Sequence, residues 1–331
     1  MRCLITGGAG FLGSHLTETL LVHGHEVVVV DDLFRGKKKN LDDCKGSPGF
    51  FFVKGDACKL DDLEKGVETL GDVDLIFHLA AINGTRWFHE RADSVVDVNI
   101  NATIATLKLA ERHAARLVFV SSPEAFGEVD EQPMGIGGDS LFNNPSLHQR
   151  HSYGASKYLG EILVQHAVRS KDIDCRVVRP FNAYGPRCPG NDYGQVVSIF
   201  LERTKVSRPL TVHGDGSQTR SFSWVGDIVE GIMLAGTTDN SLTDGESLAG
   251  YSWNMGWPEE TTIAVLAQMV REVTGIDTGM VMTKGYPGDS ARRIPDISDA
   301  EAELGWRPMT DLPDGLKRSW NYLNRVNVKN K

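Results

Sequence analysis

The sequence predicts an α/β protein, a doubly wound parallel sheet with a smaller C-terminal α/β lobe. Three observations predict it. A glycine-rich turn, Gly7-Gly8-Ala9-Gly10-Phe11-Leu12-Gly13, separates the first apolar run from the first helical pattern. Strand and helix patterns then alternate to about residue 180. The run EVVVVD at 26–31 is apolar almost throughout, as expected of a strand covered on both faces. Alternating segments of this kind imply parallel strands joined by right-handed crossovers.

Residues 2–6 read as the first strand. Residues 11–23 read as a helix, with Leu12, Leu16 and Leu20 on one face and Gly24 as its stop. The second strand is 26–31. Further strands are expected at 50–54, 73–79, 117–121 and 174–179, and helices at 94–113 and 153–169. The rhythm changes after Pro180, where the turn-rich runs GPRCPGNDYG and HGDGSQTRS separate short elements. The expected division is a dinucleotide-binding domain at 1–180, rejoined at about 220–236, and a smaller lobe at 181–219 and 237–325. Helices at 262–274 and 312–323 close the fold, and 326–331 forms a polar, frayed tail. Residues 37–39 read as a solvated loop.

At 331 residues the chain has room for two domains or one large unit with an appended lobe. Its 40% apolar and 24% charged residues exclude a disordered or fibrous protein. A net charge of −9 argues against nucleic acid or an anionic membrane as a partner. No apolar stretch approaches the roughly 18 residues of a membrane helix. Five cysteines without CxxC spacing (Cys3, Cys44, Cys58, Cys175, Cys188) fit reduced thiols better than a disulfide or zinc framework. The glycine motif starts at Gly7, so a cleaved leader is not expected and a cytoplasmic location is.

The Gly-x-x-Gly-x-x-Gly pattern has the form of a Rossmann-type cofactor turn. Gly7 allows the tight turn, Gly10 lets a pyrophosphate approach the backbone, and Gly13 lets helix and strand pack closely. The helix N-terminus supplies N–H groups and positive potential. Asp31 ends the second strand 18 residues after Gly13 and is placed to bind both ribose hydroxyls, which favours NAD. Arg35 and Lys37 could instead meet a 2′-phosphate, so NADP stays open. Asp56 follows a strand and reads either as an adenine contact or as a turn aspartate. Leu79-Ala80-Ala81 ends a strand with small residues beside the cofactor; His78 reads as packed rather than catalytic.

Tyr153 and Lys157 form Tyr-x-x-x-Lys, which on a helix places both side chains on one face. A nearby ammonium and a cationic nicotinamide favour the phenolate. Such a tyrosine can take a sugar hydroxyl proton while hydride leaves the same carbon. Ser122, at a strand end, can share that hydroxyl. The alternative is an amphipathic surface helix.

TGGAGFLG, Asp31, HLAA, SSPEAFG, YGASK, RPFNAYGP and GDGSQTRSF occur in one order. Together they resemble the extended short-chain dehydrogenase/reductase superfamily, in its NAD-dependent nucleotide-sugar epimerase/dehydratase branch. The resemblance runs from Met1 to about Leu323. It implies a tightly held NAD recycled within each turnover, a Ser122–Tyr153–Lys157 triad, and a nucleotide-diphosphate sugar bound in the smaller lobe. Expected cofactor contacts are Gly7, Gly10, Phe11, Leu12, Gly13, Asp31, Asp32, Arg35, Asp56, Ala57, Leu79, Ala80, Ala81, Tyr153, Lys157 and Pro180. Expected substrate contacts are Arg86, Glu124, Asn182, Val197, Arg220 and Arg293, with Arg220 and Arg293 at positions that hold phosphates or sugar; no metal is expected. An arginine suits phosphate through its bidentate donors, and a surface salt bridge is the plainer alternative. The helices 94–113 and 153–169 correspond to a pair that often forms a four-helix bundle, so a homodimer is expected.

Three reactions compete, each beginning with oxidation of the sugar C4 hydroxyl. The loop Ala80–Trp87 resembles that of uronate-type 4-epimerases and places Arg86 near the sugar, so a 4-epimerase is the leading expectation. Glu124 points instead to a uronate decarboxylase or a dehydratase, acting on the 4-keto sugar. Pro123 stands where dehydratases carry an aspartate, and the loop after Pro186 lacks a second arginine found in uronate epimerases. A plain reductase that releases its cofactor and a non-catalytic scaffold are the remaining alternatives.

Overall fold

The computed structural model describes residues 1–191, 194–285 and 287–328, with side chains to residue 325. Apolar runs make the main sheet. Arg2–Thr6 (β1), Glu26–Asp31 (β2), Phe50–Lys54 (β3), Leu75–His78 (β4), Arg116–Val120 (β5) and Cys175–Pro180 (β6) are joined by Ser252–Met255. The spatial order is Ser252–Met255, β6, β5, β4, β1, β2, β3, and every pairing is parallel. The order reverses direction between β1 and β4, the point at which α/β sheets open a crevice at their carboxyl ends.

Strand alternation explains why EVVVVD is apolar on both sides. Val27 and Val29 join a core with Leu16 and Leu20 of helix α1 (Phe11–Val22), while Val28 and Val30 face Leu63, Leu109 and Val164 on the other layer. That second layer is built from α2 (Leu60–Leu70), α4 (Ala92–His113) and α5 (Ser152–Lys171), with the short α3 (Thr85–Glu90) leading into α4. A separate core holds the smaller lobe, where Phe200 of α6 (Val196–Lys205) packs with Leu210, Leu266 and Leu316.

The first three strands have the expected bounds, and α7 (Val225–Thr237) returns to the main sheet as expected. The later chain differs. Ser252–Met255 was expected in the smaller lobe, but it pairs with β6 and buries Trp253 and Met255 in the core under α7. After α8 (Ile263–Thr274), α9 (Ser298–Leu304) adds Ala300 and Leu304 to that same core. The main domain therefore takes back more of the chain, because these apolar residues complete the layer over α1 and α7. α10 (Leu312–Val328) extends into the segment expected to fray; residues 329–331 lie outside the described ones, as do 192 and 193 of the turn-rich run.

All five cysteines are free thiols. Among the described residues no helix is long and apolar enough to cross a membrane, and no cluster of metal-ligating side chains occurs.

Candidate active site

A cavity of about 1190 Å³ follows the carboxyl ends of the strands and opens toward the smaller lobe. Its walls include Gly7 after β1, Asp31 at the end of β2, Asp56 after β3, Leu79–Ala81 after β4, Ser122 after β5 and Pro180 of β6.

The β1–α1 turn forms the anion-binding end. α1 starts after Gly10 without a side-chain cap and without an acid in its first turn, so its N–H groups and dipole face the cavity. A Cβ on Gly13 would come within 2.4 Å of the Gly7 carbonyl, so only glycine lets the turn close this tightly. Asp31 is buried; its Oδ2 accepts from the Ala9 amide at 2.9 Å and its Oδ1 from the Leu33 amide at 2.8 Å. Burial pushes its carboxyl up, and those two amides pull it down. Phe11, Leu12, Asp32, Arg35 and Ala57 line the same half. Asp56 also lines it, while Oδ1 accepts from the Cys58 amide at 2.9 Å, so it is a turn aspartate that also faces the cavity. These groups fit an adenine dinucleotide: amides and a helix N-terminus for the pyrophosphate, and an anchored carboxylate for the ribose.

His78 is packed away from this space. It is fully buried, with Nδ1 2.7 Å from Thr6 Oγ1 and Nε2 3.2 Å from Thr103 Oγ1, and burial lowers it to about 3.

Tyr153, Lys157 and Ser122 meet at the centre. Tyr153 lies in the first turn of α5, where its ring stacks on Phe88 at 4.9 Å and 7°. Burial pushes its hydroxyl up, and a hydrogen bond with Ser122 pulls it down. Ser122 caps the short 3-10 turn Pro123–Phe126, its Oγ accepting from the Glu124 amide at 3.2 Å. A Cβ on Gly154 would lie 2.3 Å from the Glu124 carbonyl, so the glycine of YGASK lets α5 seat against that turn. Lys157 Nζ donates to the Val120 carbonyl at 2.7 Å and lies 5.9 Å from the Tyr153 ring centre. Burial lowers it to about 7, against an opposing pull from Glu161. A phenol, a hydroxyl and an ammonium held this way can move a proton at a sugar hydroxyl.

The sugar end carries an arginine cluster that sequence reasoning found only in part. Glu124 Oε1 is 2.5 Å from Arg293 Nη1 and 2.8 Å from Arg150 Nη2. Arg293 also donates to the Gly127 carbonyl at 3.3 Å, and Asp289 lies 3.1 Å from Arg220 and 3.7 Å from Arg150. Burial pushes the Glu124 carboxyl up, but the two guanidiniums outweigh it and hold it at about 2. Arg150 Nε and Nη1 are buried with no acceptor among the described residues, and so is Asn182 Nδ2. Both residues line the cavity, with Val197. Arg150 and Asp289 were not anticipated; the one available signal was an arginine three residues before Tyr153.

Arg86 is a correction. It does not line the cavity, because residues 85–90 are helical and carry Arg86 to an exposed i,i+4 pair with Glu90 at 2.6 Å. Trp87 and Phe88 of the same helix face inward instead.

Residues 3–256 match the NAD dependent epimerase/dehydratase family. The chain is 34% identical over 328 residues to UDP-glucuronic acid decarboxylase 1 of Arabidopsis thaliana, covering 98% of this chain and 71% of that protein. The structure is similar to UDP-glucose 4-epimerase of Thermotoga maritima, solved with UDP-glucose, at a TM-score of 0.87 and 27% identity over 99% of this chain and 100% of that one. It is also similar to the dTDP-glucose 4,6-dehydratase of Streptomyces venezuelae, solved with NAD, at 0.84 and 27% identity over 99% and 98%.

Proposed function

The chain belongs to the NAD-dependent epimerase/dehydratase family, whose cofactor is NAD, and on that footing we propose that it is a nucleotide-sugar uronate decarboxylase acting on a UDP-linked uronic acid. The observation that carries this reading is the Arg150–Glu124–Arg293 cluster beside Tyr153, all of whose members line the cavity. Guanidiniums are well matched to a carboxylate, and a neutral hexose gives them less to bind.

NAD, held by the glycine turn and Asp31, would supply the hydride acceptor for C4 and the hydride donor that closes the cycle. Tyr153 takes the C4 hydroxyl proton, with Ser122 sharing that hydroxyl and the Lys157 ammonium favouring the phenolate. The resulting 4-ketone makes the sugar a β-keto acid. Its C5–C6 bond breaks, the electron pair moves to C5 and the C4 oxygen, and carbon dioxide leaves. C5 then takes a proton from solvent, and Tyr153 returns the proton it took to the C4 oxygen as C4 is reduced. Glu124, fixed as an anion, disfavours the charged substrate carboxylate beside it and so favours its loss as neutral carbon dioxide. Arg220 and Asn182 are assigned to the nucleotide-sugar, and Asp31 with the glycine turn to the adenosine half of NAD.

This reading departs from the expectation that placed a 4-epimerase first. Part of that expectation placed Arg86 near the sugar, whereas Arg86 pairs with Glu90 and is not among the residues lining the cavity. A 4,6-dehydratase needs an acid for the leaving hydroxyl, and Pro123 has no proton to give. A 4-epimerase is the second reading, favoured by the likeness to UDP-glucose 4-epimerase.

The test is incubation of the purified protein with UDP-glucuronic acid labelled with ¹³C in the carboxyl group. Labelled carbon dioxide and a UDP-pentose are expected. An isomer of unchanged mass, from this substrate or from UDP-glucose, would instead make it an epimerase.

A further inference from the structure

Beneath the catalytic residues lies a buried ion pair with no role in the scheme above. Glu161 Oε1 accepts from Ser121 Oγ at 2.5 Å and from Arg179 Nε at 2.8 Å, and Oε2 accepts from Arg179 Nη2 at 2.7 Å. Both side chains are about nine-tenths buried. Ser121 immediately precedes Ser122, and Arg179 immediately precedes Pro180. One carboxylate thus ties α5, which carries Tyr153 and Lys157, to the tips of β5 and β6. The Arg179 guanidinium also lies 4.7 Å from the Phe126 ring centre, on the turn that bears Glu124.

We infer that Glu161 is a positioning residue for C4 oxidation: it fixes the strand ends bearing Ser122 and Pro180 and supplies the anion that opposes Lys157 in the interior. The inference rests on Tyr153 and Lys157 being the proton-transfer pair, whichever reaction follows. Glu161 is four residues beyond Lys157, on the same helix face. Lys157 is 2% exposed, lies over the Phe119 ring at 4.8 Å, and gives its one hydrogen bond among the described residues to the Val120 carbonyl. Such a site disfavours the ammonium, and Glu161 is the carboxylate that opposes this effect. The other ionisable groups around it do not replace Glu161. On β4, His78 is held neutral by burial and by Lys157 itself. On β6, Arg179 is neutralised by Glu161. Tyr153 sits one turn back on α5, and Glu124 and Arg35 act on Tyr153.

The experiment is an NMR titration of lysine-labelled holoprotein, following the Lys157 side chain as the resonance missing in Lys157→Met. In Glu161→Gln the Lys157 midpoint should fall by about one pH unit or more, as expected when a near counter-charge is removed. Glu161→Asp should recover much of the loss. The double variant Glu161→Gln/Arg179→Gln strands no buried charge and carries the same expectation as Glu161→Gln if the single variant does not fold. Cofactor reduction on mixing with UDP-glucuronic acid or UDP-glucose should lose its basic limb at lower pH in Glu161→Gln, with KM little changed. An unmoved midpoint in Glu161→Gln, or in the double variant where the single variant does not fold, would overturn the inference. The titration needs no sugar, so it is decided separately from whether the chain is a decarboxylase.

Discussion

Glu124 and Arg293 form a buried ion pair, Oε1 to Nη1 2.5 Å, in which the carboxylate is also held by Arg150 at 2.8 Å. The pair stands one short turn from Ser122 and beside Tyr153, so the chemistry proposed to follow C4 oxidation would take place next to a fixed anion. Glu124→Gln keeps the shape and removes that charge. C4 oxidation should continue while carbon dioxide release falls on the order of 10²-fold or more, as for loss of a positioned ionised group. The reduced cofactor should then accumulate, visible in the near-ultraviolet. In D₂O the unmodified protein should place deuterium at C5 of its product. Product without deuterium at C5 would mean that no bond to C5 had been broken.

The same pair predicts an acid limb of stability. The Glu124 carboxyl is held at about 2, below its ordinary 4.5. A depressed carboxyl contributes stability that is fully present above about 4.5 and is lost as pH falls toward about 2. Melting temperature measured across that window should fall less steeply in Glu124→Gln than in the unmodified protein. Parallel curves would show that the pair makes no contribution to the slope.

Asp31 sets the expectation for cofactor choice. Two backbone amides fix its carboxylate at the cavity edge, where a 2′-phosphate would meet it as a second anion. Fluorescence titration should show NAD bound more tightly than NADP. Asp31→Ala should weaken NAD and narrow the difference. Equal affinity in the unmodified protein would remove Asp31 as the discriminator.

Tyr153→Phe deletes the proton acceptor and keeps the ring that stacks on Phe88. A loss on the order of 10²–10⁴ in kcat is expected for removing a positioned base. Lys157→Ala should in addition loosen the cofactor, since its ammonium would reach the nicotinamide ribose. Near-normal turnover in Tyr153→Phe would refute the proposed proton transfer.

The cofactor half was legible because its signals are local. A glycine turn, a strand ending in Asp31 and a tyrosine one helical turn before a lysine each declare themselves within a few residues, and β1, β2 and β3 keep the expected bounds. What was missed depends on distance or on a change of local state. Asp289 reaches Arg150 across 139 residues of sequence, and no periodicity announces such a pair. Arg86 was expected in a loop, but the short helix at 85–90 turns it outward to Glu90. Ser252–Met255 is a short strand whose place is fixed by the partner it finds in β6 and by Trp253 beneath it, not by its own pattern.

The last prediction concerns assembly. α4 and α5 lie side by side on one face of the sheet, joined by Asn99 Nδ2 donating to Ser156 Oγ at 3.0 Å. Their inner faces are covered, yet Val96 on α4 and Tyr158, Leu159 and Ile162 on α5 are 38–48% exposed. A second copy presenting the same two helices would cover those side chains across a two-fold axis, giving a closed, isologous four-helix contact. Single exposed apolar residues are common, but three within five residues of α5, with a fourth on the neighbouring α4, are the kind of surface that association buries. Light scattering at micromolar concentration should therefore give the mass of a dimer. Leu159→Glu and Ile162→Glu together should shift it to the monomer with the melting transition retained, because neither side chain belongs to the core. A monomeric mass for the unmodified protein would show that this face is solvated.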